Sequence, residues 1–370
     1  MRRRRAAAGL AVAVAATATL GGGVVTPSAD AQSVVYAKDL SGNFAGDARD
    51  EVFAYVSGST PDALVTFSNG GVSGGPVSLD VELFTVNGSY DPVAGDFDGD
   101  GYDEILWYAA GTRQDYIWDF TSATTITSRP YTVNGTYDPV VGDFNGDGVD
   151  DVTWYARGTA RDYIWEYNVG GGYTSAPRTI NGYYTPIPGS FGSNATDDIL
   201  FYAPGPGADY LWDYNPDGSY ASRPYPANGY YWPFVLDIWN DGWQGEDIFF
   251  YAPGTAPDYV WDFFQGDKYS YNEPVNGFYY APVAGDFLGD GHDDVLWFSD
   301  VGFNMWDYAP DPAGLVRWDY SFSNAAQAAG VTAMDPSVAP SATGAQADST
   351  DVLTGSSRNA TATPGPTRSR

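Results

Sequence analysis

The sequence predicts an all-β fold, a β-propeller of six four-stranded blades, and three recurring features carry that prediction. An acidic loop, or a residue standing in its place, opens at Asn43, Asp96, Asp143, Ser190, Asp237 and Asp286, with gaps of 53, 47, 47, 47 and 49 residues. A Trp in a Tyr-Ile-Trp-Asp-like segment keeps the same step at Trp118, Trp165, Trp212, Trp261 and Trp306, with Val65 in that place in the first unit. Asn-Gly pairs keep it a third time, at Asn87, Asn134, Asn181, Asn228 and Asn276. A fixed period of this length marks a solenoid, a propeller or an array. The chain has 45 Gly and 25 Pro in 370 residues, so many turns are expected and long helices are not.

Each unit reads as four short strands. In the third, Pro139 to Phe144 is the first strand and the acidic loop follows. Asp151 to Ala156 is the second, Asp162 to Asn168 the third, and Thr174 to Ile180 the fourth. Aromatic and β-branched runs bounded by Gly, Asn and Asp are the strand signal. Second strands such as Ile105-Leu106-Trp107-Tyr108 are apolar without alternation, as a sheet covered on both faces requires. The Asn-Gly pairs fall between the fourth strand of one unit and the first of the next, where they turn the chain from rim to centre. Six units span roughly residues 34 to 322, and what lies outside them is too short for another blade. Seven blades, one assembled from divergent terminal pieces, is the alternative.

The ends differ from the repeat. Arg2 to Arg5 form a basic head, Ala6 to Leu20 an apolar stretch broken by Gly21-Gly22-Gly23, and Ala29-Asp30-Ala31 a small-x-small site. Together these predict a signal peptide over residues 1–31 and a secreted, extracellular protein. The propeller is expected over 33–323. From 324 to 370 Ala, Ser, Thr, Pro and Gly dominate, and a disordered tail is expected.

Composition removes several functions. The formal net charge is −30 and the pI about 4.1, so nothing would neutralise the phosphates of a nucleic acid. No segment beyond the leader has the length to span a membrane. With no cysteine there are no disulfides and no thiolate chemistry. The single histidine, His292, lies inside an acidic loop, which argues against a Ser-His-Asp triad. No catalytic residue is assigned and an enzyme is not expected. Acids are plentiful enough that a carbohydrate-active hydrolase or lyase on this scaffold is the alternative reading.

The loops carry the chemistry. Asp96, Asp98, Asp100 and Glu104 stand at positions 1, 3, 5 and 9 of the second loop, with the Tyr102 carbonyl at position 7. The third loop repeats this with Asp143, Asn145, Asp147, the Val149 carbonyl and Asp151. Calcium takes six to eight hard oxygen ligands, and alternate residues of a tightly coiled loop aim theirs at one centre. Gly at position 6 permits the sharp bend. Asp and Gly also favour plain turns, but that does not account for two loops with one ligand spacing. The sixth loop offers Asp286, Asp290, the His292 carbonyl and Asp294, with Leu288 in place of the third ligand. The first, fourth and fifth read as decayed.

The pattern Gly-Asp-Phe-x-Gly-Asp-Gly-x-Asp-[Asp/Glu] resembles the FG-GAP/VCBS repeat of integrin α-chain propellers and of many secreted bacterial proteins. The resemblance spans the six units. It implies Ca²⁺ at Asp96, Asp98, Asp100 and Glu104 and at Asp143, Asn145, Asp147 and Asp151, in loops joining the first and second strands. It also implies a non-enzymatic binding or adhesion module for an extracellular protein or carbohydrate; a monomer is expected.

Two further features invite a function. The repeated Trp and the acid after it (Asp119, Glu166, Asp213, Asp262, Asp307) resemble a sugar site, yet recurrence in every blade points first to shared packing. The Tyr-rich corners at Tyr183, Tyr184, Tyr230, Tyr231, Tyr279 and Tyr280 suit either packing or recognition.

Overall fold

The computed structural model describes residues 37–323, except 48, 59–60, 72–74, 76, 241–244, 255, 265, 277–279, 300–301 and 312–313. It also describes four short segments, Val12–Val14, Val331–Ala333, Leu353–Thr354 and Thr361–Pro364. The expected signal peptide and tail otherwise lie outside the described residues.

Six sheets follow one another along the chain, each antiparallel and each ordered as its strands occur. Blade I is β1 (Ala37–Gly42), β2 (Glu51–Val56), β3 (Asp62–Ser68) and β4 (Ser78–Phe84). Blade II is β5 (Asp91–Gly95), β6 (Glu104–Tyr108), β7 (Asp115–Ser122) and β8 (Thr125–Tyr131). Blade III is β9 (Asp138–Gly142), β10 (Asp151–Tyr155), β11 (Asp162–Asn168) and β12 (Gly172–Arg178). Blade IV is β13 (Thr185–Gly189), β14 (Asp198–Tyr202), β15 (Tyr210–Tyr214) and β16 (Tyr220–Pro224). Blade V is β17 (Trp232–Leu236), β18 (Asp247–Tyr251), β19 (Tyr259–Phe264) and β20 (Asp267–Asn272). Blade VI is β21 (Tyr280–Gly285), β22 (Asp294–Ser299), β23 (Gly302–Asp311) and β24 (Gly314–Ser323). Leu353–Thr354 pairs with the edge of blade I and Thr361–Pro364 with that of blade VI, while Val12–Val14 pairs with Val331–Ala333. The protein is a six-bladed propeller. Among the described residues no helix is long and apolar enough to cross a membrane.

The doubly apolar second strands divide their side chains between two neighbours. In β6, Ile105 and Trp107 pack toward blade I, and Leu106 and Tyr108 toward blade III. The same alternation runs round the ring until Val52 and Ala54 of β2 meet Leu296 and Phe298 of β22 in one core, which closes the circle. Each seam thus owns a core, and the strand between two seams is covered on both faces. The outer strands face water. All five residues of β16 are exposed, and Pro130, Pro177 and Pro224 sit in the edge strands β8, β12 and β16, where a missing N–H disrupts no ladder. In blade III the last strand runs Gly172–Arg178, two residues earlier than the expected Thr174 to Ile180. Tyr173 pairs there with Tyr167, and its ring stacks on Trp165 at 4.2 Å.

At the centre, the blades are stapled by six acids, three of which (Asp103, Asp150 and Asp293) fill the penultimate place of the loop pattern without that pattern showing their role. The N–H of Asp96 donates to the Asp150 carboxylate of the next blade at 3.0 Å, and the N–H of Asp150 donates back to the Asp96 carbonyl at 2.9 Å. Asp103, Asp197, Glu246, Asp293 and Asp50 accept in the same way from the N–H groups of Asn43, Asp143, Ser190, Asp237 and Asp286 respectively, at 2.6–3.0 Å. The bond from Asp286 to Asp50 crosses 236 positions of sequence and closes the ring. The glycine that ends most first strands makes room for this staple. A Cβ on Gly95 would stand 2.7 Å from the Asp150 carboxylate, and one on Gly142 2.8 Å from that of Asp197.

Candidate functional site

The loop between β5 and β6 winds around one carboxylate. Asp96 Oδ1 accepts the N–H groups of Gly99 at 2.7 Å and Asp100 at 3.2 Å, and Oδ2 accepts that of Gly101 at 3.0 Å. Gly99 and Gly101 make this possible with φ of +76° and +88°, a region that L side chains avoid. The coil brings one oxygen from each of Asp96, Asp98, Asp100 and Glu104 within 4.8 Å of the others. Among the described residues, this is the one place where three or more acidic, His or Cys ligand atoms converge so closely.

Glu104 is fully buried. Its Oε2 accepts the Phe97 N–H at 2.7 Å, while its Oε1, like Asp98 Oδ1, is buried with no hydrogen-bond partner. Burial, followed by the charges of Asp98 and Asp96, pushes the Glu104 carboxyl up to about 9. Burial and Asp100 raise Asp98. Buried acceptors without donors are costly, and four carboxylates facing one point repel. The neighbouring cation, Arg129, is engaged by Asp119 at 3.0 Å. A donor set of hard oxygens alone, with orphaned oxygens at its centre, fits a hard divalent cation.

The third loop has the same backbone. Asp143 gathers the N–H groups of Gly146, Asp147 and Gly148 at 2.7–3.1 Å, Asn145 Oδ1 accepts that of Asp147 at 2.9 Å, and Asp147 Oδ1 accepts that of Val149 at 3.0 Å. Its ninth residue behaves differently. Asp151, one methylene shorter than Glu104, turns Oδ1 to the Tyr167 N–H at 2.9 Å, and its Oδ2 is buried without a partner. In the sixth loop Asp286 gathers Gly289, Asp290 and Gly291 at 2.7–3.0 Å, and Asp290 Oδ1 accepts from His292 at 3.2 Å. Leu288 turns away into the core between blades VI and I, and Asp294 is buried with Oδ1 unpartnered. The His292 ring also reaches blade V, where Nδ1 lies 2.7 Å from the Ile238 carbonyl.

Two loops that read as decayed pair part of their polar groups by other means, although Glu51 Oε1 and Asp198 Oδ2 stay buried without a partner. Arg49 forms an ion pair with Asp47 inside the first loop. In the fourth, Thr196 Oγ1 lies 2.9 Å from both Asn194 Oδ1 and the Tyr214 carbonyl, which closes the turn with neutral groups. In the fifth, Asn240 takes the place of the first loop glycine at φ +50°, and residues 241–244 lie outside the described residues.

Position 7 also has a role that sequence spacing hid. Its side chain crosses to the preceding blade and lies over that loop's first glycine. A Cβ on Gly46 would meet the Tyr102 ring at 2.3 Å, and one on Gly99 the Val149 methyl at 3.1 Å. Position 4 is therefore glycine for close approach as well as for φ.

The repeated Trp residues pack in the seams, as their recurrence implies. Their neighbouring acids pair with outer-strand arginines in three blades, Asp119 with Arg129, Glu166 with Arg178 and Asp213 with Arg223. Asp307 is buried, and the Tyr320 hydroxyl donates to it at 3.2 Å. The Asn-Gly corners are held by paired glycines. Gly111 and Gly135 exchange backbone hydrogen bonds, and the Tyr108 hydroxyl donates to the Gly135 carbonyl at 2.8 Å. The acid that opens the third strand completes the corner. Asp115 accepts the N–H groups of Ala109 at 2.7 Å and Val133 at 2.6 Å, and Asp62, Asp162, Asp209 and Asp258 do the same in their blades.

Residues 90–118, from the start of blade II through its coiled loop to Trp118, match the FG-GAP repeat family. The protein is a propeller bearing an FG-GAP repeat. The match is centred on the loop that gathers Asp96, Asp98, Asp100 and Glu104, so the FG-GAP segment and the tightest acidic convergence coincide. No curated protein matches the chain. One similar solved structure is that of an Agrocybe aegerita lectin, described for its "specific recognition of non-reducing terminal N-acetylglucosamine". It is 13% identical with a TM-score of 0.48, and the alignment covers 73% of this chain and 76% of that one.

Proposed function

We propose that this chain is a secreted propeller whose FG-GAP loop binds Ca²⁺, and that it serves as a non-enzymatic binding module for an extracellular protein or glycan. The observation that carries the calcium reading is the fully buried Glu104, with Oε1 unpartnered beside Asp98 Oδ1 in a ring of four carboxylates. Asp96, Asp98, Asp100 and Glu104 would hold the ion, with the Tyr102 carbonyl as a neutral ligand. The ion would supply the positive charge that these oxygens lack and would fix the loop against blade III, whose Gly170 N–H already donates to the Asp98 carbonyl at 2.7 Å. The third and sixth loops, with Asp143, Asn145, Asp147, Val149 and Asp151 and with Asp286, Asp290, His292 and Asp294, are proposed as further, weaker sites.

Calorimetric titration of the chelated protein with Ca²⁺ tests this directly. Extracellular modules bind calcium with dissociation constants of about 10⁻⁴–10⁻³ M. At the tighter end, 10 mM Ca²⁺ stabilises the fold by about 2.7 kcal/mol, a rise of roughly 5–10 °C in melting temperature. Asp98→Asn with Asp100→Asn should abolish most of that rise. No heat of binding and no thermal shift in the wild-type chain would refute the reading. Export is checked separately by mass spectrometry of protein recovered from the medium of a secreting host, where the mature chain is expected to begin at Gln32.

A further inference from the structure

The seams between blades carry pockets on the face opposite the acidic loops. Register places them there, because Gly95 pairs with Glu104 at the loop end of blade II and Asp91 pairs with Tyr108 at the other. Three pockets, of about 190, 210 and 240 Å³, open at the I/II, III/IV and IV/V seams. They are built from the same positions. Tyr90 and Tyr116 line the first, Tyr184 and Tyr210 the second, and Tyr231 and Tyr259 the third. Each pair of rings stands at right angles, with centroids 6.2–6.4 Å apart and planes at 82°, 90° and 84°. An exposed Asn from the corner (Asn87, Asn181, Asn228) and an exposed Ser from the outer strand (Ser128, Ser222, Ser270) complete each rim.

We propose that these three pockets bind single residues of a neutral saccharide. The inference rests on the reading of the chain as a binding module and names its ligand class. A ring face beside a ring edge offers an electron-rich surface to sugar C–H groups. The Asn amide and the Ser hydroxyl supply both donors and acceptors for the sugar hydroxyls. No Asp, Glu, Lys or Arg lines any of the three, although Lys268 Nζ lies over the Trp261 ring at 3.6 Å, so the lining calls for no charged complement, and the net charge of −30 disfavours acidic glycans. The pockets are separate, one to a seam, and about the size of one sugar ring. That distinguishes them from the continuous aromatic groove that a proline-rich peptide needs. A small site of this kind binds at about millimolar strength alone, and three on one rigid ring gain by avidity on a repeating glycan.

The test is an array of neutral oligosaccharides, acidic oligosaccharides and proline-rich peptides, probed with the full chain in Ca²⁺. Retention on neutral glycans is expected, with release by free monosaccharide at millimolar concentration. Changing Tyr116, Tyr210 and Tyr259 together to Ala should lower retention at least tenfold, and each change alone by about two- to threefold. The triple Asn→Ala variant at Asn87, Asn181 and Asn228 alters only exposed side chains and should weaken retention with an unchanged melting temperature. The proposal is overturned if the folded, calcium-loaded chain retains no neutral glycan, or retains only acidic glycans or peptides. It is equally overturned if both triple variants bind like wild type. Calcium titration of the same samples separates the two readings, since the pockets and the FG-GAP loop lie at opposite ends of the blades.

Discussion

In the chelated protein the melting temperature should fall as pH rises from 5 to 9. Burial, the largest cause in each case, pushes Asp50, Asp103 and Asp197 up to about 6, Glu51 up to about 7, Asp151, Asp198 and Glu246 up to about 8, and Glu104 up to about 9. A carboxyl whose pKa is higher in the folded chain than in the unfolded one binds its proton more tightly in the fold. Its destabilising effect is absent below about 4 and complete above the folded value. The loss should therefore begin near pH 5 and end near pH 9, and amount to at least a few kcal/mol across these groups. General repulsion in a chain of net charge −30 acts in the same direction but is screened by 1 M salt, whereas the buried groups are screened far less. The slope should persist at high salt. Ca²⁺ should reduce it by stabilising the ionised forms of Glu104 and Asp98. Asp198→Asn should reduce it without calcium, because Asp198 is buried with Oδ2 unpartnered in a loop that neutral hydrogen bonds already close. A melting temperature that is flat or rising over this range would contradict the account.

The second large effect is at Asp115. Its two oxygens accept two buried N–H groups, from Ala109 and Val133, that join the end of β6 to the corner entering blade III. Asp115→Ala leaves both donors buried and unmet, at about 1–3 kcal/mol each. A loss of about 3–5 kcal/mol lowers the melting temperature by roughly 10 °C. Asp115→Asn should recover less than half of this, since the amide keeps one acceptor and turns N–H against N–H at the other. Asp119→Ala, four residues on, should cost about 1 kcal/mol or less, because its ion pair with Arg129 is partly exposed to solvent. Equal effects from the two alanine variants, read by thermal denaturation in calcium, would show that the corner is held by something else.

That pair of aspartates shows how far the sequence is legible. Asp115-Tyr-Ile-Trp-Asp119 recurs as a unit, and spacing directs attention to the Trp and the acid after it. The first Asp matters more because it bonds across 18 positions to Val133, a contact that no local pattern records. The loops behave similarly. Spacing aligns Glu104 with Asp151, yet Glu104 accepts from its own loop at Phe97 and Asp151 from the third strand of its blade at Tyr167, a difference that spacing does not show.

By itself the sequence determined the all-β class, the six units, the position of the coiled loops and the packing role of the repeated Trp. All of these follow from local periodicity and turn chemistry, which every unit states afresh. Tertiary structure alone decided the rest. The ring of acids exists because position 1 of one blade meets position 8 of the next, some 54 residues away. The saccharide-sized pockets exist because two units share a seam. Groups that converge across blades share the period of the repeat, so spacing shows that they recur but not which partner each one meets, since each unit supplies only half of every contact.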